Sequence, residues 1–174
     1  MRLETDHDLR KVLYGLYTEL FKAKQVCPEY FTDGRLTKIL TDVMGIENEG
    51  WRVVGITQEA LDLLAKKGFD KTKLPRKLCR GHRIDRIETT REVFKRNEPM
   101  ELNEFFKVYL DNDQTVIMLN EQNRTKPFPE FIPIDNLDAK LFPNGSLIGW
   151  KHGEYERKCL RDLHSSRSGS SKKQ

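Results

Sequence analysis

The chain has 174 residues, 37% hydrophobic and 33% charged, with a formal net charge of +4. That is the size of one ordinary domain or two small ones with a real core, which excludes wholesale disorder and makes disulfide or metal staples unnecessary. No apolar run has the length of a spanning helix, the start lacks a signal-peptide layout, and the three cysteines, Cys27, Cys79 and Cys159, form no Cys-x-x-Cys pair. No membrane association is expected, and a reducing cytoplasm is the expected compartment.

Leu9, Val12, Leu13, Leu16, Tyr17, Leu20 and Phe21 recur at three and four, which predicts an amphipathic helix over 5–25, capped by Thr5 and stopped by Pro28. A second helix is expected after Thr32 or Asp33, with Leu36, Ile39, Leu40 and Val43 on one face and Gly45 at its end. Trp51–Ile56 reads as a short strand, and Thr57 then caps a third helix ending at Gly68. Leu78 to Ile87 reads as a strand, followed by a short helix capped by Thr89 or Thr90 and another from Glu101 to Tyr109. Asp111-Asn112-Asp113 is turn chemistry, and Thr115–Leu119 is a strand by its β-branched content. Pro127, Pro129 and Pro133 forbid a long helix beyond it. Asn144-Gly145 predicts a hairpin turn, Glu154 to Leu163 a final helix, and the Ser/Lys/Arg-rich tail 165–174 is expected to be disordered.

Charge is balanced along most of the chain but not between Lys71 and Arg86, where seven basic residues and His82 stand with a single acid, Asp85. Such a cluster is where a polyanion would bind. Within it Lys73, Arg76, Lys77, Arg80, Arg83 and Arg86 are candidate phosphate contacts, and Lys151 is another from a later loop. A neutral imidazole among them could take a proton from a water attacking a phosphodiester while the cations hold the phosphate.

The segment Thr115-Val-Ile-Met-Leu-Asn-Glu-Gln-Asn-Arg-Thr-Lys126 resembles the second strand and helix entry of HNH nucleases, the ββα-metal family. The resemblance covers about residues 78–128. It implies DNA as the partner, His82 as general base, Asn123 as a catalytic metal-holding residue with Asp85 as the nearest acid, and Arg124 and Lys126 on the nucleic-acid backbone. It also implies Mg²⁺ or Mn²⁺ as cofactor and, for cutting two strands, a homodimer. Where the family carries an acid or a histidine before the catalytic histidine, this chain has Gly81.

The expected architecture is therefore α+β: a helical subdomain over 1–70, for DNA recognition or dimerisation, then a ββα-metal-like core with inserted helices over 71–164. The expected activity is DNA endonuclease. The alternative is a noncatalytic nucleic-acid-binding module using the Lys71–Arg86 run. A restriction-type site built on Asp111, Asp113 and Glu121 ranks below both, for want of a following Glu-x-Lys.

Overall fold

The computed structural model describes residues 6–44, 52–70, 73, 77–134, 145–146, 149–150 and 153–170. The class is α+β: among the described residues there are six α-helices and a four-stranded sheet. Two compact units form, Met1–Trp51 with His82–Gln114, and Arg52–Gly81 with Thr115–Gln174. The units alternate along the chain, whereas the sequence reading divides it at residue 70.

The first unit is helical: α1 (His7–Val26), α2 (Asp33–Met44), α4 (Arg86–Phe94) and α5 (Leu102–Asn112). Asp6 caps α1 by accepting the Leu9 backbone N–H at 2.9 Å, and Thr5, the cap expected from sequence, lies outside the described residues. Leu13, Tyr17 and Phe21 face inward from α1 onto Leu36, Leu40 and Met44 of α2, Val93 and Phe94 of α4, and Phe105, Phe106 and Tyr109 of α5. Tyr17 is the centre of this core. It is fully buried, stacks on Phe105 with ring centroids 4.1 Å apart, donates to the Val93 carbonyl and accepts from the Met100 N–H. The phenol thus satisfies two buried backbone groups while its ring contributes apolar area. At the edge of the core Asp33 accepts from Lys24 and Arg91, tying α1, α2 and α4 together.

The start of α4 departs from the sequence reading. The strand stops at His82, the chain bends at residues 83 and 84, and the helix begins at Arg86 with Asp85 at its N-cap position. Thr89 and Thr90 are therefore buried inside the helix rather than capping it. The Thr90 hydroxyl donates to the Arg86 carbonyl and accepts from Thr37 of α2, so its polar group is satisfied by packing.

The second unit holds β1 (Arg52–Ile56), α3 (Gln58–Ala65), β2 (Leu78–His82), β3 (Gln114–Leu119), β4 (Ile132–Pro133), the two-residue strands β5 (Gly145–Ser146) and β6 (Gly149–Trp150), and α6 (Glu154–Ser170), the outer ends of β2 and β3 being counted with the first unit. The sheet order is β2-β3-β1-β4, with β1 and β4 antiparallel in the register Gly55 to Pro133 and Ile56 to Ile132. Gly55 is required there: a Cβ would lie 2.2 Å from the Phe131 ring and 2.9 Å from the Ile132 carbonyl oxygen. Val53, Ile56, Leu61, Leu64, Ile117, Ile132 and Leu160 form an aliphatic core. After α3 the chain turns back through Gly68 and Phe69, both at positive φ, which brings the Phe69 ring into that core. The α6 start is held by a reach-back bond, the Gly153 N–H donating to the buried Glu156 carboxylate at 2.7 Å. That helix runs through residues 165–170, part of the tail expected to be disordered. Gly145 lies in a strand paired with Trp150 rather than in a turn, while Asn144 lies outside the described residues.

Candidate phosphodiester site

Strand β2 ends at His82 and helix α4 begins at Arg86, so a four-residue step brings both side chains to the same place. The Arg83 N–H donates to the Gln114 carbonyl at 3.0 Å, which sets Asp113, one residue earlier, beside them. The result is a compact triad. His82 Nε2 lies 3.1 Å from Asp113 Oδ1 and 3.1 Å from Arg86 Nε, and an Arg86 terminal nitrogen is 3.5 Å from the same carboxylate oxygen.

Asp113 is 4% exposed, and its Oδ2 accepts no hydrogen bond among the described residues. Among the described residues its hydrogen bonding therefore runs through Oδ1, toward His82 and Arg86. A ring nitrogen carries either a hydrogen or a lone pair, so Nε2 serves one partner at a time: as a donor it serves Asp113, as an acceptor it serves Arg86. With the hydrogen on Nε2 and given to Asp113, the neutral imidazole has its lone pair on Nδ1. Burial first, then the Asp113 charge, push the neighbouring Tyr109 hydroxyl above its ordinary value, and Arg86 pulls against them. Thr37, Thr41, Arg86, Thr90, Tyr109 and Asp113 line a shallow, solvent-open cleft of about 10 Å³ in this unit.

Of the other residues nominated from sequence, Arg83 is exposed and hydrogen-bonded to Gln114 at 2.7 Å, and Asp85 is exposed at the α4 N-cap without a side-chain capping bond. Lys73 is exposed, 3.9 Å from Asp70; Lys77 is exposed; Arg80 is half-buried in β2. Arg76 and Lys151 lie outside the described residues. Asn123, Arg124 and Lys126 are exposed, the first two on a 3₁₀ turn over Gln122–Arg124 in the second unit.

Gln122 holds that turn in place. Its side-chain oxygen accepts from Thr57 and from the Leu119 N–H, and its amide nitrogen donates to Glu59. Gly81 lies under the same turn: a Cβ there would be 2.7 Å from Asn123 Oδ1 and 2.6 Å from the end of Met118. A side chain at the position that carries an acid or a histidine in HNH enzymes would here have to displace the ends of Met118 and Asn123.

Two contributors escaped the sequence reading. The sequence reading takes Asp113 as turn chemistry or as part of a restriction-type carboxylate set with Asp111 and Glu121, not as the partner of His82; strand pairing carries it 31 residues back to that histidine. Gln122 carried no motif of its own.

The sequence resemblance also implies a divalent cation. Among the described residues no three His, Cys, Asp or Glu side chains gather to hold one, and the nominated ligands Asn123 and Asp85 belong to different units. Among the described residues the chemistry available to His82, Asp113 and Arg86 is acid–base and electrostatic. Among the described residues no helix is long and apolar enough to cross a membrane. No protein-family model, no curated protein and no solved structure matches the chain.

Proposed function

We propose that this chain binds DNA and hydrolyses phosphodiester bonds with His82 as general base. The observation that carries the reading is the triad: a histidine in a basic segment, backed by a buried carboxylate and flanked by an arginine. Asp113 accepts a hydrogen bond from Nε2–H and so fixes the tautomer, and Nδ1 removes a proton from water. The water oxygen bonds to phosphorus, the ester P–O bond breaks, and the leaving oxygen takes up a proton from solvent. When the imidazole becomes a cation, its bond to Asp113 strengthens, which stabilises the state that forms. Arg83 and Arg86 supply positive charge for the phosphate oxygens.

The test is nicking of supercoiled plasmid by the full chain in Mg²⁺ or Mn²⁺, beside EDTA. Wild-type protein is expected to nick. His82→Ala is expected to lose about 10²–10⁴-fold, the usual worth of a general base. Asp113→Asn, checked for folding by circular dichroism, is expected to show an altered pH profile as well as a lower rate. No nicking by the wild type, or equal rates in His82→Ala, overturns the assignment.

A second reading, binding without catalysis, is favoured by the exposure of Lys73, Lys77, Arg83, Arg124 and Lys126. It expects affinity to fall with salt with a log–log slope of about −0.9 per phosphate neutralised, and no cleavage under any ion condition.

A further inference from the structure

We propose that the outward face of α1 is a homodimer contact, on which a second copy of this chain lays its own α1 antiparallel, crossing at Gly15. The inference goes beyond the phosphodiesterase reading and does not depend on it, because its test reads assembly rather than chemistry.

Helix α1 is apolar on two sides. Leu13, Tyr17 and Phe21 fill the core, but Val12, Leu16 and Val26 are 70%, 38% and 85% exposed. With Glu19 and Ala23 they stand at alternating spacings of four and three, the period of a helix seam that meets another helix. Val12 and Leu16 flank Gly15 on that line, where a second copy crossing there would cover them; Val26, eleven residues beyond Gly15, stands past the start of such a partner's α1.

Gly15 lies on the same face, between Val12 and Leu16. A glycine inside a helix costs about 0.5–1 kcal/mol relative to alanine. Among the described residues nothing requires it: a Cβ at Gly15 would meet no atom within 4 Å. A backbone passing close from outside would require it, as at the crossing of two helices.

The charges select the partner and its direction. Asp8 lies seven residues before Gly15 and Lys22 seven after it; Lys11 lies four before and Glu19 four after. All four side chains are largely exposed, and among the described residues they pair along their own helix, Asp8 with Lys11 and Glu19 with Lys22. An antiparallel copy crossing at Gly15 sets Asp8 against Lys22 and Lys11 against Glu19, twice over by the two-fold axis. A parallel copy in register sets like against like, which is unfavourable. The same sequence therefore complements itself in one orientation and repels itself in the other.

The experiment is sedimentation equilibrium of the full chain over rising concentration. The wild type is expected to approach twice the chain mass, and Leu16→Glu to stay monomeric. Lys22→Asp should weaken association about tenfold, since each dimer exchanges two exposed attractive pairs for two repulsive ones. The double reversal Asp8→Lys with Lys22→Asp should restore it. Gly15→Ala is expected to raise the thermal midpoint of the monomer yet weaken the dimer, an opposition that a purely local role would not produce. A wild type monomeric throughout, or Leu16→Glu associating like the wild type, overturns the surface. A double reversal that fails to rescue Lys22→Asp overturns the antiparallel arrangement. The charge variants alter only exposed side chains, so they decide the matter even if Leu16→Glu fails to fold.

Discussion

The two units are built from different materials. The helical unit has an aromatic core in which Tyr17, Phe21, Phe94, Phe105 and Phe106 meet ring to ring, and one phenol satisfies the Val93 carbonyl in the last turn of α4 and the Met100 N–H in the segment joining α4 to α5. The sheet-containing unit has an aliphatic core of Val53, Ile56, Leu61, Leu64, Ile117 and Ile132, suited to a pleated surface. Its polar pin is a glutamine side chain, Gln122, holding a turn. Large rings hold together a helical unit whose two segments are far apart in sequence, because each buries much area at one junction. The lesson is that the candidate site follows the first pattern: His82, Arg86 and Asp113 all belong to the helical unit, at the points where its second segment enters and leaves.

The contrast is most severely tested by Phe105→Ala. Phe105 is fully buried and touches Tyr14, Tyr17, Phe106 and Tyr109, so its truncation should cost about 3–5 kcal/mol. Native-state hydrogen exchange should show the loss chiefly in α1, α2, α4 and α5. Equal acceleration in β1, β3 and α3 would mean that the two cores act as one cooperative body.

A smaller effect is expected in the other unit from Gly81→Ala. The added methyl must move the end of buried Met118 and the Asn123 side chain, an overpacking cost of about 1–3 kcal/mol. Chemical denaturation measures it, and an unchanged midpoint would show that the turn over Gly81 yields freely.

The smallest effect is the pH dependence of the Asp33 junction in the helical unit. Hydrogen bonding from Lys24, and then from Arg91, holds the Asp33 carboxyl below its ordinary value, against the opposing influence of burial. A carboxyl with a depressed folded value stabilises fully above its unfolded value and loses that contribution as pH falls through the folded one. Thermal midpoints of wild type and Asp33→Asn should therefore differ at neutral pH and converge in acid. A gap that stays constant down to strongly acid pH would remove the ion pairs from the account.

Burial also governs the thiols. Cys79 in β2 is pushed up to about 11, consistent with a side chain that packs rather than reacts. Among the described residues all three cysteines are free thiols.

Much of the element order was readable from periodicity alone. The α1 and α2 faces, the Thr57 cap, whose hydroxyl accepts the Ala60 N–H, and the β3 strand needed only the spacing of apolar residues and the chemistry of one capping side chain. Boundaries failed where tertiary contacts outbid local signals. Thr89 and Thr90 look like caps, but a bend two residues after His82 starts the helix earlier and turns both threonines inward. The tail looked too polar to order, yet residues 165–170 continue α6, with the Ser165 and Ser166 hydroxyls donating to carbonyls one turn back.

By itself the sequence determined that this is an α+β chain with a basic segment around His82, because helical and strand periods and the sign of charge are properties of neighbouring residues. Only the tertiary structure decided which acid stands beside that histidine. Asp85, three residues away, stands exposed at the N-cap position of α4, and Asp113, 31 residues away, is delivered by pairing of the strand ends. Partnership across such a gap depends on register and on which residues share a core, and neither is written in any local stretch of the chain.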